Sequence, residues 1–133
     1  IESTPVISTD FFPTLLEAAS VKVPETYEGD GVSLLPLLKT EEDNFSRDSI
    51  FFHYPNYAFH RSNRLGSAIR CGDHKLIEWL DDGSFELYNL AEDLQESRDL
   101  SDEKPSLAER MLKQLHDWRL KVDAEMPKAV SAN

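Results

Sequence analysis

Cysteine is nearly absent: Cys71 is the only one in 133 residues. That excludes an intrachain disulfide framework and leaves the redox compartment open. Long apolar runs are absent as well. None approaches the ~20 residues that a membrane-crossing helix needs, and the N-terminus lacks the basic-then-apolar pattern of a signal segment. Bases are scarce, with 14 Lys and Arg against 25 Asp and Glu and a net charge of −11. This balance argues against a general nucleic-acid or anionic-membrane surface, because affinity for phosphate needs clustered cations. The length falls in the range of one domain and is large enough to bury a core. The chain opens on Ile1 rather than Met, as a processed or excised piece does.

The few bases are unevenly placed. Residues 53–75 hold Arg61, Arg64, Arg70 and Lys75 against one acid, Asp73, together with His53, His60 and His74. A local positive field in an acidic chain attracts anionic ligands. A solvated basic loop that balances nearby acids has the same composition, and is the simpler reading.

Local patterns predict the elements. Residues 8–20 read as a helix capped by Ser8 or Thr9, with Pro13 in the first turn. Phe11, Phe12, Leu15, Leu16 and Ala19 give it a broad apolar face. Residues 33–39 read as a second short helix, with Ser33 as cap and Pro36 in the first turn. Thr40 to Arg47 is acidic and polar, a surface connection. Residues 49–54 have strand composition, and Pro55 to Leu65 is a long loop of a kind often functional or mobile. Strands follow at roughly 67–71, 74–79 and 84–88. Their short turns, Cys71-Gly-Asp73 and Asp81-Asp-Gly83, predict an antiparallel meander. In the middle strand Lys75, Ile77 and Trp79 share one face, and Leu76 and Glu78 the other. Pro105 suits the first position of a helix reaching about Ala124. Leu107, Met111, Leu115, Trp118 and Val122 form its stripe, set to cover one face of the sheet.

Five segments in order carry a resemblance. They are Thr9-Asp-Phe-Phe-Pro-Thr-Leu-Leu-Glu-Ala-Ala19, Asp30-Gly-Val-Ser-Leu-Leu-Pro-Leu-Leu38, Phe51-Phe-His-Tyr-Pro-Asn-Tyr57, Ser67-Ala-Ile-Arg-Cys-Gly-Asp-His-Lys-Leu-Ile77 and Glu86-Leu-Tyr-Asn-Leu90. Asp93, Glu96 and Leu100 then match an Asp-x-x-Glu-x-x-x-Leu run. This order resembles the C-terminal part of the type I sulfatases, in the alkaline phosphatase superfamily. Ser20 departs from the pattern, standing where the family usually has glycine. The resemblance implies an α+β fold: a small antiparallel sheet of three to four strands packed by a C-terminal helix, after two short helices that resemble the end of a larger α/β sulfatase domain. It divides the chain into residues 1–45, the end of the catalytic domain, and 46–133, the C-terminal subdomain.

The family's chemistry uses a formylglycine, made from Cys or Ser in a Cys/Ser-x-Pro/Ala-x-Arg motif, and a divalent metal, usually calcium. Cys71 is followed by Gly72, Asp73, His74 and Lys75, so it lacks the motif and is expected to be a structural thiol. No acidic cluster has metal-site spacing, and no Cys/His set completes a zinc site around His53 and His60. His116 is expected at the surface. Catalytic and metal residues are therefore expected outside this chain, with calcium and formylglycine in a parent sulfatase. The implied partners are the sulfatase catalytic domain and an anionic sulfate-ester substrate, with neither nucleic acid nor membrane. The implied location of the parent is periplasmic or extracellular. The residues expected to line its substrate cleft are His53, Tyr57, His60, Arg61 and Arg64. Aromatic faces suit sugar or aryl rings, and Arg suits sulfate oxygens. Arg70 and Lys75 are expected to pair with acids such as Asp73 or Glu86. The alternative, from another class, is a free-standing interaction module or a non-catalytic subunit.

Overall fold

A computed structural model describes residues 4–27, 29–39, 45–56 and 63–128. Two compact units emerge, Ile1–Ile50 and Phe51–Asn133.

The first unit holds a 3-10 turn at Ser8–Asp10, which runs into helix α1, Phe11–Ala18, and a short helix α2, Leu35–Leu38. The opening is not capped by Ser8 or Thr9. The Asp10 carboxylate instead reaches back to accept the Ile7 N–H at 2.8 Å. It also accepts the Val32 N–H at 3.1 Å and a two-pronged ion pair from Arg47. Asp10 is fully buried. Arg47, expected in a surface connection, is buried with it. The Thr14 hydroxyl donates to the Asp10 carbonyl at 2.6 Å and accepts the Leu34 N–H at 2.9 Å, which pins the second segment to α1. Gly31 sits against this junction. A Cβ there would lie 2.1 Å from the Thr9 carbonyl oxygen, so only glycine allows the approach.

The apolar face read for α1 is real, but it is open. Phe11 is 62% and Leu15 66% exposed, while Pro13 and Thr14 are the buried positions. Of that face, Phe12 finds a partner in Tyr27, with ring centroids 4.9 Å apart. The cap position of α2 is Leu34 rather than Ser33, with no side-chain cap; the Ser33 hydroxyl, one residue earlier, accepts the Leu35 N–H at 3.3 Å, and Pro36 lies in the first turn.

The second unit is a four-stranded sheet in the order β1-β2-β3-β4, made from Ile50–Tyr54, Gly66–Cys71, His74–Trp79 and Phe85–Asn89. Strands β2, β3 and β4 pair antiparallel as a meander. Gly72 opens the β2–β3 turn at φ +56° and Gly83 closes the β3–β4 turn at φ +73°, positions where a Cβ is disfavoured. The register brings Ile69 opposite Leu76 and Leu76 opposite Leu87. These three residues are fully buried and pack against Ala108, Met111 and Leu115 of α3, Pro105–Lys121. Each such side chain contributes on the order of 1.5–3 kcal/mol. Phe51 and Trp118 extend the core as a stacked pair, with ring centroids 4.9 Å apart.

The helix differs from the predicted stripe at one end. Its buried positions are Ala108, Met111, Leu115 and Arg119, and Val122 lies outside as the C-cap. The acidic connection after β4 is ordered by its own carboxylates. Asp93 accepts the N–H groups of Ser97 and Arg98, and Asp99 accepts those of Leu87 and Ser101. Leu100 drops into the core and its N–H meets the Leu87 carbonyl at 2.7 Å.

Two predictions follow from these local constraints. Ser20, just past α1, has φ +56°, a left-handed conformation. Ser20→Gly should stabilise the first unit by about 0.5–1 kcal/mol in chemical denaturation. For Asp10, burial pushes the carboxyl up, but Arg47 and the Ile7 and Val32 amides outweigh it, and the group lies below the usual carboxylate value of 3.8. Its stabilising effect is complete above that value and is lost as pH falls through the depressed one. Asp10→Asn should therefore weaken amide-exchange protection at Ile7 and Val32 at neutral pH. The gap from the unsubstituted chain should narrow as pH falls below 3.8 and through the depressed value.

Candidate functional site

The two faces of the sheet differ in chemistry. Toward α3, the core ladder gives way at one end to a polar cluster of His53 on β1, Ser67 on β2, Glu78 on β3, and His116 and Arg119 on α3. Arg119 Nη2 lies 2.7 Å from Glu78 Oε2, and its Nη1 donates to Ser67 Oγ at 3.2 Å. The ion pair is close, but its angle is too poor for a hydrogen bond to Glu78 Oε2. His116 Nε2 stands 2.9 Å from Glu78 Oε1. His116 is thus only half at the surface, since its ring turns back onto the sheet.

His53 Nδ1 meets Ser67 Oγ at 2.7 Å and Nε2 meets the Glu125 carbonyl at 2.7 Å. A carbonyl only accepts, so Nε2 carries a proton. Arg119 only donates, so the Ser67 hydroxyl is free to give its own proton to His53 Nδ1. One direction then satisfies every atom, running Arg119 to Ser67 to His53 to Glu125. A Ser–His contact of this length is also the signature of an activated nucleophile. Ser67, however, is buried at 2% exposure, and its oxygen already accepts from a cation. The arrangement locks a chain segment beyond α3 onto β1.

Away from α3 the sheet is open. Phe52 and Tyr54 of β1, Ala68 of β2, and Ile77 and Trp79 of β3 line a shallow depression of about 310 Å³, with Arg64 and Lys75 at its rim. Arg64 lies over the Trp79 ring, 4.5 Å from its centroid. It also donates to Asp81 at 2.6 and 3.0 Å and to Asp82 at 2.7 Å. The bond to Arg64 is the main reason that the Asp81 carboxyl sits below its ordinary value, while Asp82 is lowered chiefly by Ser84. Lys75 Nζ holds both oxygens of Glu96, at 2.7 and 2.9 Å.

Of the five residues expected at a substrate cleft, His53 and Arg64 fall on opposite sides of this architecture, and each is engaged by the protein itself. Tyr57, His60 and Arg61 lie outside the described residues. Arg70 and Lys75 do not pair with Asp73 or Glu86. Arg70 Nε donates to the Gly72 carbonyl at 3.2 Å, and Lys75 takes Glu96. Glu96 is presented by a backbone at φ +55°. Sequence reasoning missed Arg119. Its signal was the spacing, because 119 continues the stripe through 108, 111 and 115.

The calcium and formylglycine implied by the resemblance do not fit these residues. Cys71 is half-buried at the end of β2, without the required motif. Among the described residues, no group of three or more His, Cys, Asp or Glu converges as a metal site. Among them too, no helix is long and apolar enough to cross a membrane.

An antiparallel sheet backed by one helix, following two short helices, is the α+β scaffold of the C-terminal part of a sulfatase. The chain belongs to the family described as N-sulphoglucosamine sulphohydrolase, C-terminal, which matches residues 2–122. It is 38% identical over 132 residues to a sulfatase of Formosa agariphila, covering 90% of this chain and 24% of that protein. It is 32% identical to arylsulfatase K of Xenopus laevis, covering 85% of this chain and 22% of that one. A solved structure, a complex with the substrate D-glucosamine-2-N,6-O-disulfate, superposes with a TM-score of 0.72 at 27% identity. That match covers 89% of this chain and 24% of the other. The chain thus spans about a quarter of the relatives it matches.

The polar cluster makes a sharp prediction. Arg119→Leu takes the guanidinium from the Glu78 carboxylate and one donor from Ser67 Oγ, and should cost roughly 3–5 kcal/mol in urea unfolding. Replacing the pair together, Glu78→Leu with Arg119→Leu, should cost clearly less than Arg119→Leu alone, because no charge is left uncompensated.

Proposed function

We propose that the chain is the C-terminal part of a sulfuric ester hydrolase, packs against that enzyme's catalytic part, and is not catalytic alone. The observation that carries this reading is family membership combined with a match to only a quarter of each relative. The nucleophile and calcium of such an enzyme would then be carried by residues outside this chain. The region from His53 to Arg64 is its contribution to the substrate cleft. Tyr57, His60 and Arg61 are the proposed contacts with an anionic sulfate ester. His53 and Arg64 are the positioning residues at the two ends of that region. This division is supported by the bonds of His53 to Ser67 and Glu125, and of Arg64 to Asp81 and Asp82. Sulfated sugars are the favoured substrate class, since one relative's structure holds a sulfated glucosamine.

The isolated chain should show no turnover of an aryl sulfate in the presence of calcium, and turnover well above blank would overturn the proposal. In the full-length enzyme, Arg61→Ala should raise KM about tenfold and leave kcat within about twofold, the loss of one charge-assisted contact. Arg64→Ala should raise KM less. Unchanged kinetics in both variants would exclude a cleft role for this region.

A further inference from the structure

A neutral imidazole carries one proton and one lone pair, so what meets one ring nitrogen decides what the other can do. For His53 the decision is made two bonds away. Arg119 has donors only. Its Nη1 donates to Ser67 Oγ at 3.2 Å, and its Nη2 stands 2.7 Å from Glu78. The Ser67 proton is thereby turned toward His53 Nδ1, 2.7 Å away, and the ring keeps its own proton on Nε2, facing the Glu125 carbonyl at 2.7 Å. The opposite tautomer would set the Nε2 lone pair against that carbonyl oxygen, two acceptors with no proton between them. One tautomer holds Glu125 and the other repels it. Glu125 belongs to the stretch 122–128 that follows α3. Asp123 turns the chain there at φ +50°. The stretch begins still bonded to the helix, with the Val122 N–H on the Trp118 carbonyl at 3.0 Å and the Ala124 N–H on the Arg119 carbonyl at 2.9 Å. Beyond Ala124 the His53 bond ties it to β1. A groove of about 350 Å³ lies between this stretch and the end of α3, lined by His116, Arg119, Leu120, Asp123, Ala124 and Met126. Residues 122–128 thus wall the space beside the buried Arg119, and lifting them brings water to its pair with Glu78.

We propose that residues 122–128 are a strap latched to β1 by the tautomer of His53, and that Arg119, acting through Ser67, sets that tautomer. The two ends support each other. Arg119 directs the bond that holds the strap, and the strap shelters the ion pair that holds Arg119. A loss at either end loosens both, so the strap opens as one local unit while the core of Ile69, Leu76 and Leu87 stays closed. Arg119 and Ser67 are positioning residues in this device, which depends on bonds within the chain and not on what the parent protein hydrolyses.

The test uses the full-length parent with isotope-labelled histidine and compares Ser67→Ala, Arg119→Leu and Arg119→Lys. The His53 signal is assigned by its disappearance in His53→Gln. In the unsubstituted protein the ring-nitrogen shifts should place the proton on Nε2, and amide exchange across residues 122–128 should be slow. Ser67→Ala removes the hydroxyl and leaves the ion pair. It should give a mixture of tautomers and speed exchange of the strap about tenfold, the loss of roughly one hydrogen bond, with β3 and β4 unchanged. Arg119→Leu should shift the tautomer in the same direction. Arg119→Lys, still only a donor, should keep the tautomer and hold strap exchange within about threefold of the unsubstituted rate. A proton on His53 Nδ1 in the unsubstituted protein overturns the proposal. So does strap exchange that stays slow in Ser67→Ala. Faster exchange with an unchanged tautomer overturns it too, since packing alone would then hold the strap. Where a variant loosens the whole fold, seen as fast exchange in β3, the tautomer of the unsubstituted protein and the Arg119→Lys result decide.

Discussion

A carboxylate taken out of water must meet a cation and enough N–H groups, and each unit of this chain is arranged around one such carboxylate. In the first unit it is Asp10, joined by Arg47 and by the amides of Ile7 and Val32. In the second it is Glu78, held between Arg119 and His116. The desolvation penalty of such a pair roughly cancels its attraction, so neither is strong evidence of stability by itself. What each supplies is position. Asp10 fixes three stretches that are distant in sequence onto one atom group. Glu78 fixes the last turns of α3 over β3, and through Ser67 and His53 it orders the chain as far as Glu125.

The same logic explains residues whose type looks arbitrary in the bare sequence. The aspartates after β4 are neither a solvated run nor a metal site. Asp93 and Asp99 each close a turn by accepting two backbone N–H groups, and Glu96 anchors Lys75. Leu100 then enters the core, completing the Asp-x-x-Glu-x-x-x-Leu run as one device. Each backbone donor satisfied in this way is one that an irregular segment would otherwise bury unpaired. Gly31 belongs to the same class, since its missing Cβ lets the second segment approach Thr9.

Much of the architecture was legible because it rests on short-range rules. The glycine turns, the strand composition and the stripe through Met111 and Leu115 placed β1 to β4 and α3 to within a few residues. Side chains that act across long sequence distances were not legible. Arg47 sits in an acidic, polar stretch and reads as surface, yet it is buried against a residue 37 positions away. The stripe read from apolar residues, Leu107 to Val122, passes over Arg119. Arg119 is buried and Val122 is the C-cap, because the Glu78 carboxylate beneath α3 needs a countercharge. For the residues proposed to face substrate, sequence supplied residue types. The geometry adds that His53 and Arg64 are committed to internal bonds, which shifts attention to Tyr57, His60 and Arg61.

The surface chemistry follows from the same division between spent and unspent groups. Nearly every charged side chain discussed in the second unit is consumed by a neighbour, whereas the apolar side chains of the open face are not. In the first unit Phe11 and Leu15 are also left without cover. A module that satisfies its polar groups internally while leaving aromatic area exposed has the profile of a part that packs against a larger body. Among the described residues, the Ser67–His53 contact is buried, with its oxygen engaged by Arg119. The residues that resemble a catalytic pair are therefore a strut that ties β1 and β2 to α3.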